Sequence, residues 1–354
     1  LINNTKTNLL LDTLIPEKKG LSIMIKPQEH FHGSDLEKIE KVYGIKKEDI
    51  ISFSANVNPL GISPKLRTTL SEKIDAITGY PDREYTSLRA CIADYVKADM
   101  NHIIVGNGST ELISLFIQIT HPKKAFIIGP TYSEYEREVS LGGGSSHYYS
   151  LDEVNDFKLN VTDLEKELTG EYDLLVLCNP NNPTSSAIPN SQMRKILDIC
   201  NQRDILCMVD ETYVEFADDM NNITSIPLTA YYNNIIILRG ISKFYAAPGL
   251  RLGYAVCGNA DLLKEINKHK NPWTINTLAA IAGEIMFTDK DYINETKALI
   301  QNERSRVCRM LESCSNLKVY PPTANFVLLK ILKEGITSNH LFDKAIGKGF
   351  MIRD

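Results

Sequence analysis

Residues 173–184 read Asp173-Leu174-Leu175-Val176-Leu177-Cys178-Asn179-Pro180-Asn181-Asn182-Pro183-Thr184. An unbroken apolar run gives way at once to two asparagine–proline steps. So short and uniformly apolar a run fits a strand buried on both faces, the environment of a parallel sheet. Proline removes a backbone donor and fixes φ, so the strand ends there and the loop is stiff enough to present the Asn182 amide. Ligands of open α/β sheets bind beyond the carboxyl ends of strands. A proline-stiffened turn with no ligand is an equally open reading of this loop taken alone.

Working outward, further short apolar runs fall at 102–105, 124–128, 146–150, 205–209, 235–238 and 253–257. Helical patterns lie between them at 109–119, 132–140, 161–168 and 190–202. This alternation predicts an α/β fold: a large domain with a mixed, mostly parallel sheet flanked by helices. The sheet is expected to be mixed because 235–238 and 253–257 follow one another with little helix between. After Pro272 the pattern changes to a long helical stretch over 276–313, strands near 317–320 and 325–330, a helix near 338–348 and a last strand at Phe350-Met351-Ile352. That is a smaller α+β domain. The expected division is an N-terminal arm and part of the small domain in 1–55, a large cofactor-binding domain in 56–275, and a C-terminal small domain in 276–354 that continues past Asp354.

The 354 residues carry 43% hydrophobic side chains, enough for a large core, and a net charge of −5, which argues against nucleic acid as a partner. No apolar run approaches the roughly 18 residues of a membrane span, and residues 1–20 do not read as a secretory signal. Seven cysteines, an odd number with no CxxC pair, fit reduced thiols in the cytoplasm. No metal site is expected.

Three more segments carry possible chemistry. Gly106-Asn107-Gly108-Ser109-Thr110-Glu111 joins a strand to a helix, where backbone N–H groups can approach an anion at the positive helix end. A plain helix cap at Ser109 reads the same residues as well. Asp210 closes the strand 205–209, with Tyr213 three residues on. A carboxylate there can pair with a protonated ring nitrogen, or simply begin a solvated turn. Arg239-Gly240-Ile241-Ser242-Lys243 follows the strand 235–238, and Arg251 lies eight residues beyond Lys243. A lysine beside other cations loses proton affinity and becomes a usable nucleophile, and Arg251 can grip a phosphate in bidentate fashion.

The order of NPNNPT, DETY and SKFYAAPGLRLG resembles the fold-type-I pyridoxal-phosphate family, aminotransferase classes I and II, over about residues 30–354. The resemblance implies pyridoxal 5′-phosphate as cofactor, carried on Lys243, with Asp210 on the ring nitrogen. It implies Asn182 and Tyr213 on the ring's phenolic oxygen and Tyr132 stacked on the ring. Gly108, Ser109, Ser242 and Arg251 would hold the phosphate, and Tyr80 would reach the phosphate of a neighbouring subunit, so a homodimer with shared active sites is implied. Two positions depart from the family pattern: Gly240 stands where a hydroxyl residue is frequent, and Ser185 where the asparagine motif usually ends in glycine.

His32-Gly33 and Phe53-Ser54-Ala55-Asn56-Val57-Asn58-Pro59-Leu60-Gly61 resemble, within that family, the threonine-phosphate decarboxylases of cobalamin biosynthesis and, less closely, histidinol-phosphate aminotransferases. The first resemblance implies a phosphorylated small amino acid as substrate, bound by His32, Gly33, Asn56, Asn182 and Arg353, with a further arginine beyond Asp354 for the carboxylate. Bland turns at His32-Gly33 and Asn58-Pro59 are the alternatives. Decarboxylation of threonine or serine phosphate is therefore the expected reaction, transamination of histidinol phosphate the second. A non-enzymatic cofactor-binding regulator comes third, because 1–28 is too short for a DNA-binding domain.

Overall fold

The computed structural model of the chain describes Gly33 and residues 35–354. The described residues form two compact units: Gly33 and 35–56 with 307–319 and 329–354, and a larger one of 57–306 with 320–328. Along the chain the strands are β1 (Ile51–Ser52), β2 (Ile103–Gly106), β3 (Lys124–Gly129), β4 (Ser145–Ser150), β5 (Leu174–Cys178), β6 (Leu206–Asp210), β7 (Ile235–Gly240), β8 (Gly253–Cys257), β9 (Leu317–Val319), β10 (Leu329–Ile331) and β11 (Phe350–Met351).

In the larger unit β2 to β8 form one sheet in the order β2-β8-β7-β6-β5-β3-β4. Pairings from β4 through β7 are parallel, and β8 runs antiparallel to both β7 and β2. The mixed, mostly parallel α/β sheet read from the sequence is the one observed. Strand side chains alternate between two cores. Leu175, Leu177, Cys207, Val209, Ile235 and Ile237 face one way with helices 86–96 and 190–202. Leu174, Val176, Met208, Ile236 and Leu238 face the other way with helices 108–120, 134–141 and 260–269. Burial on both faces is why these strands read as continuous apolar runs. Each fully buried aliphatic side chain contributes about 1.5–3 kcal/mol.

The helical stretch expected over 276–313 is two helices, Thr277–Met286 and Lys290–Glu312. Thr288 Oγ1 donates back to the carbonyls of Glu284 (2.8 Å) and Ile285 (3.1 Å), and Asp289 Oδ1 accepts from Tyr292 N at 3.3 Å. The first bonds compete with continuation of the helix and the second caps its successor. The domain change expected near 275 also falls elsewhere, at 306/307. Ala279 and Ala282 are fully buried in the same core as Leu88, and a Cβ on Gly283 would meet Leu88 Cδ1 at 2.4 Å. Helix 277–286 is thus packed into the larger unit. The strand expected over 325–330 begins only at Leu329, because 320–328 belongs to the larger unit.

In the smaller unit β1 pairs in parallel with β11, Ile51 opposite Phe350 and Ser52 opposite Met351. Ile39, Phe342, Ile346 and Met351 form its core. β9 and β10 pair antiparallel.

A buried ion cluster joins the ends of β6 and β7. Arg239, 2% exposed, donates through Nε and Nη2 to Glu211 Oε2 at 3.1 and 2.8 Å, and Nη1 reaches Glu215 Oε1 at 3.4 Å. Glu211 also accepts from Thr224 Oγ1 at 2.9 Å. Removing the cation leaves a buried carboxylate without its counter-charge, so Arg239→Ala is expected to lose about 3–5 kcal/mol of stability. Urea denaturation measures it, and a loss below about 1 kcal/mol, the range of an exposed pair, contradicts a structural role for the pair.

Candidate active site

Because β2 runs in the same direction as the parallel strands, the carboxyl ends of β2, β3, β5, β6 and β7 open at one edge of the sheet, and antiparallel β8 enters from it. The residues that follow or end those strands are Gly108 and Ser109, Tyr132, Asn182, Asp210 with Tyr213, and Ser242 with Lys243. Arg251 precedes β8. Nine of the ten residues named from sequence for the cofactor, all but Tyr80, thus leave one sheet edge. The register sets Cys178, Asp210 and Leu238 abreast, and likewise Gly106, Gly253 and Gly240.

Those three glycines let the first turn of helix 108–120 lie against the sheet. A Cβ on Gly253 would fall 2.5 Å from Ser109 N and 2.6 Å from the Gly108 carbonyl carbon. Gly108 has φ +76°, and a Cβ there would meet Arg251 Nη2 at 2.5 Å. The guanidinium therefore lies over the helix start, and cation and helix N-terminus together make an anion cup. The helix begins at Gly108 with Asn107 at the cap position, so Ser109 sits inside the first turn and is not the cap. Its Oγ lies 3.3 Å, and Thr212 Oγ1 3.6 Å, from where a Cβ on Gly240 would stand. Two hydroxyls thus flank the position at which the chain departs from the family pattern. Thr212 was not singled out from sequence, since only the register of β6 against β7 brings it there.

Asp210 is 5% exposed. Its Oδ2 accepts from Tyr135 OH at 2.7 Å and its Oδ1 from Thr212 N at 2.9 Å. Burial pushes its pKa up, while the side chains of Thr212 and Tyr135 and the Thr212 backbone pull it back. Among the described residues no cation enters that balance. A buried carboxylate held only by neutral donors fits a cationic partner such as a protonated pyridine nitrogen, and the site therefore fits the cofactor that the resemblance implies. Tyr135 was missed in the sequence. The signal was its position three residues after Tyr132, on the same side of the helix start. The two rings meet edge-on at 5.6 Å.

Tyr213 is buried, its ring edge-on to Phe326 at 5.0 Å. In the asparagine loop the three asparagines divide their work. Asn179 donates to the carbonyls of Ile188 (3.0 Å) and Ile223 (3.1 Å). Asn181 ties the loop to its neighbour, donating to Pro130 O at 2.8 Å and accepting from Thr131 Oγ1 at 2.8 Å. Asn182 is partly exposed. Lys243 is held at its backbone by Asn58, another residue not singled out, whose N–H donates to Lys243 O at 2.9 Å and whose Nδ2 donates to Phe244 O at 2.8 Å. The turn offered as the alternative at Asn58-Pro59 is present, with Gly61 N donating to Asn58 O at 3.2 Å, and Asn58, 2% exposed, is at the same time a buried brace.

Of the residues named for substrate, Gly33, Asn56 and Arg353 fall in the smaller unit and Asn182 in the larger. His32 lies outside the described residues. Gly33 is packed on the Ser54 carbonyl, since a Cβ there would fall 2.2 Å from that oxygen. Asn56, at φ 54°, follows β1, and Arg353, exposed, follows β11. Because β1 and β11 are parallel, Asn56 and Arg353 emerge at the same end of the pair. Tyr80 belongs to the larger unit, is 83% exposed and packs on Trp273 at 4.8 Å. Among the described residues no group of side chains could hold a metal ion, and no helix is long and apolar enough to cross a membrane.

The aminotransferase class I and II family matches residues 48–353. A protein of Caldanaerobacter subterraneus, named as a candidate threonine-phosphate decarboxylase, is 36% identical over 300 residues, 85% of this chain and 80% of its own. The threonine-phosphate decarboxylase of Salmonella typhimurium is 33% identical over 305 residues, 86% of this chain and 83% of its own. Among solved structures, the histidinol-phosphate aminotransferase of Clostridium acetobutylicum superposes with a TM-score of 0.77 at 30% identity, covering 84% of this chain and 86% of its own.

Two substitutions test this geometry. Tyr135→Phe removes a hydrogen bond to a charged group, worth about 1.5–3 kcal/mol. It is expected to weaken pyridoxal phosphate binding about tenfold, measured by titrating cofactor-free protein. Asp210→Asn is expected to lower turnover about 10²–10³-fold, the effect of deleting an electrostatic stabiliser. The same change should raise the melting temperature of the cofactor-free protein at neutral pH. An acid whose folded pKa is raised costs stability as pH climbs from its unfolded pKa through its folded one, and the amide escapes that cost. A variant that turns over normally, or whose cofactor-free form melts lower at neutral pH, contradicts the assignment.

Proposed function

The chain belongs to the aminotransferase class I and II family of pyridoxal-phosphate enzymes, and from that premise we propose that it decarboxylates L-threonine O-3-phosphate to aminopropanol phosphate, or L-serine O-phosphate to ethanolamine phosphate, for cobalamin biosynthesis. The observation that carries this reading is the parallel pairing of β1 with β11, from whose common end Asn56 and Arg353 emerge, with Gly33 packed on Ser54 beside them. An arginine fork and an amide on short excursions from rigid strands suit a phosphate on a short side chain. The names of the relatives from Caldanaerobacter and Salmonella support it further.

Bound, the cofactor supplies a sink for the electron pair released when a bond at the substrate's α-carbon breaks. The chain's part is to hold and orient. Lys243 carries the cofactor, with its backbone braced by Asn58. Asp210 keeps the proton on the ring nitrogen, supported by Tyr135. Asn182 and Tyr213 donate to the ring's phenolic oxygen, and Tyr132 lies on its face. Gly108, Ser109, Ser242 and Arg251 hold the phosphate, with Thr212 beside them. His32, Gly33, Asn56, Asn182 and Arg353 grip the substrate so that the bond to its carboxylate is the one that breaks. Carbon dioxide leaves, a proton takes its place on the α-carbon, and no amino acceptor is consumed. Exposed Tyr80 suits a cytoplasmic homodimer in which each subunit completes its partner's phosphate site.

Transamination of histidinol phosphate is the second reading, favoured by the 30% identity to the Clostridium acetobutylicum enzyme. Supplying threonine, serine and histidinol phosphates separately, with and without 2-oxoglutarate, separates the two. Carbon dioxide from the first two without the oxo-acid is the expected result, and glutamate from histidinol phosphate alone overturns it. Borohydride is expected to fix the cofactor on the peptide containing Lys243, and labelling of another lysine refutes that assignment. Arg353→Ala is expected to raise KM for the phosphorylated substrate about tenfold, as loss of a charged hydrogen bond does, with cofactor absorbance unchanged. An unchanged KM removes Arg353 from the substrate site.

A further inference from the structure

Ser185 occupies a backbone conformation that favours glycine, at φ 58°, and is fully buried. Its own N–H donates to Asn181 O at 2.7 Å, so it closes the loop that carries Asn182. Its hydroxyl accepts from Thr323 N at 3.0 Å and from Ala324 N at 2.8 Å. Thr323 N also reaches Ser185 O at 3.0 Å, whereas Ala324 N has the hydroxyl as its acceptor. From the other side Arg304, on helix 290–312, donates through Nη1 to the carbonyls of Thr323 (2.9 Å), Ala324 (3.0 Å) and Phe216 (2.9 Å), and its Nη2 pairs with Asp218. Tyr320 adds an anchor, donating to Glu153 at 2.7 Å. Two residues past Ala324 comes Phe326, edge-on to Tyr213.

We propose that Ser185 and Arg304 are positioning residues, a two-sided latch on residues 323–324 that sets Phe326 against Tyr213 and couples the Asn182 loop to the same segment. The inference rests on the reading of Tyr213 and Asn182 as donors to the cofactor ring. A half-buried segment with no regular structure must find partners for its inward peptide groups, and here side chains supply them on both faces of Thr323 and the buried Ala324. With glycine at 185 the loop keeps its backbone shape and loses the hydroxyl, so the latch is a property of the serine itself.

The test is Ser185→Gly, which the positive φ tolerates, with Arg304 left intact. Amide hydrogen exchange at Ala324 is expected to speed about fivefold in the cofactor-free protein, the effect of one lost hydrogen bond. The same variant is expected to bind pyridoxal phosphate a few-fold more weakly and to lower kcat while leaving KM for the amino acid phosphate in place. Phe326→Leu, which removes the ring from Tyr213, should produce the same weakening, and the double variant should be no worse than either single one. Unchanged exchange at Ala324 overturns the latch, as do fully additive effects on cofactor affinity. Failure of the unaltered protein to take cofactor onto Lys243 instead overturns the functional reading beneath it, which the exchange rate of Ala324 distinguishes.

Discussion

The guanidinium of Arg239, shut away from water between Glu211 and Glu215, ties the end of β6 to the end of β7. Charges this deeply buried persist only when every partner is in place, and here the partners lie next to the residues that matter. Glu211 follows Asp210 directly, and Arg239 stands four residues before Lys243. Asp210 and Lys243, the residues proposed for the ring nitrogen and for carrying the cofactor, are therefore mounted at two strand ends that the ion pair ties together. Burial raises the pKa of Glu215 while Arg239 pulls it back, and the shorter of the two contacts to the guanidinium is that of Glu211.

Around that frame the site is assembled by subtraction as much as by contact. Gly106, Gly240 and Gly253 stand abreast, and the missing side chains let helix 108–120 rest its first turn on the sheet with Arg251 laid over it. Hydroxyls from Ser109 and Thr212 border the space that a side chain at 240 would fill. Among the described residues Asp210 has only neutral donors, Tyr135 and Thr212. A cofactor with a basic ring nitrogen supplies the positive charge that such a carboxylate lacks.

Much of this was legible in the residues. Apolar runs bounded by proline, glycine and aspartate marked β5, β6 and β7 because strands buried on both faces have no polar alternation to blur them. The loops carrying Asn182, Asp210 and Lys243 followed from those strand ends. What escaped was held by partners far away in sequence. Tyr135 reads as an ordinary helical tyrosine until its hydroxyl is seen on Asp210, 75 residues away. Asn58 reads as half of an asparagine–proline turn until its amide is found on Phe244 O, 186 residues away. Ser185 stood out only as a departure from glycine, and its bonds to Thr323 and Ala324 give that departure a physical sense.

Local patterns also misplaced a boundary. Helical periodicity runs almost unbroken from 276 to 313, and only the hydroxyl of Thr288 and the carboxylate of Asp289, acting on nearby peptide groups, divide it. The domain change falls where contacts thin out, at 306/307, and contacts across space leave no periodic trace along the chain. By itself the sequence determined the alternation of strand and helix, the direction in which most strands run and the residue types at their ends, because these follow from local polarity and backbone geometry. Tertiary structure alone decided which side chains support those residues, which unit each segment joins and how Phe326 meets Tyr213, because such contacts depend on register and packing between parts of the chain that no local rule connects.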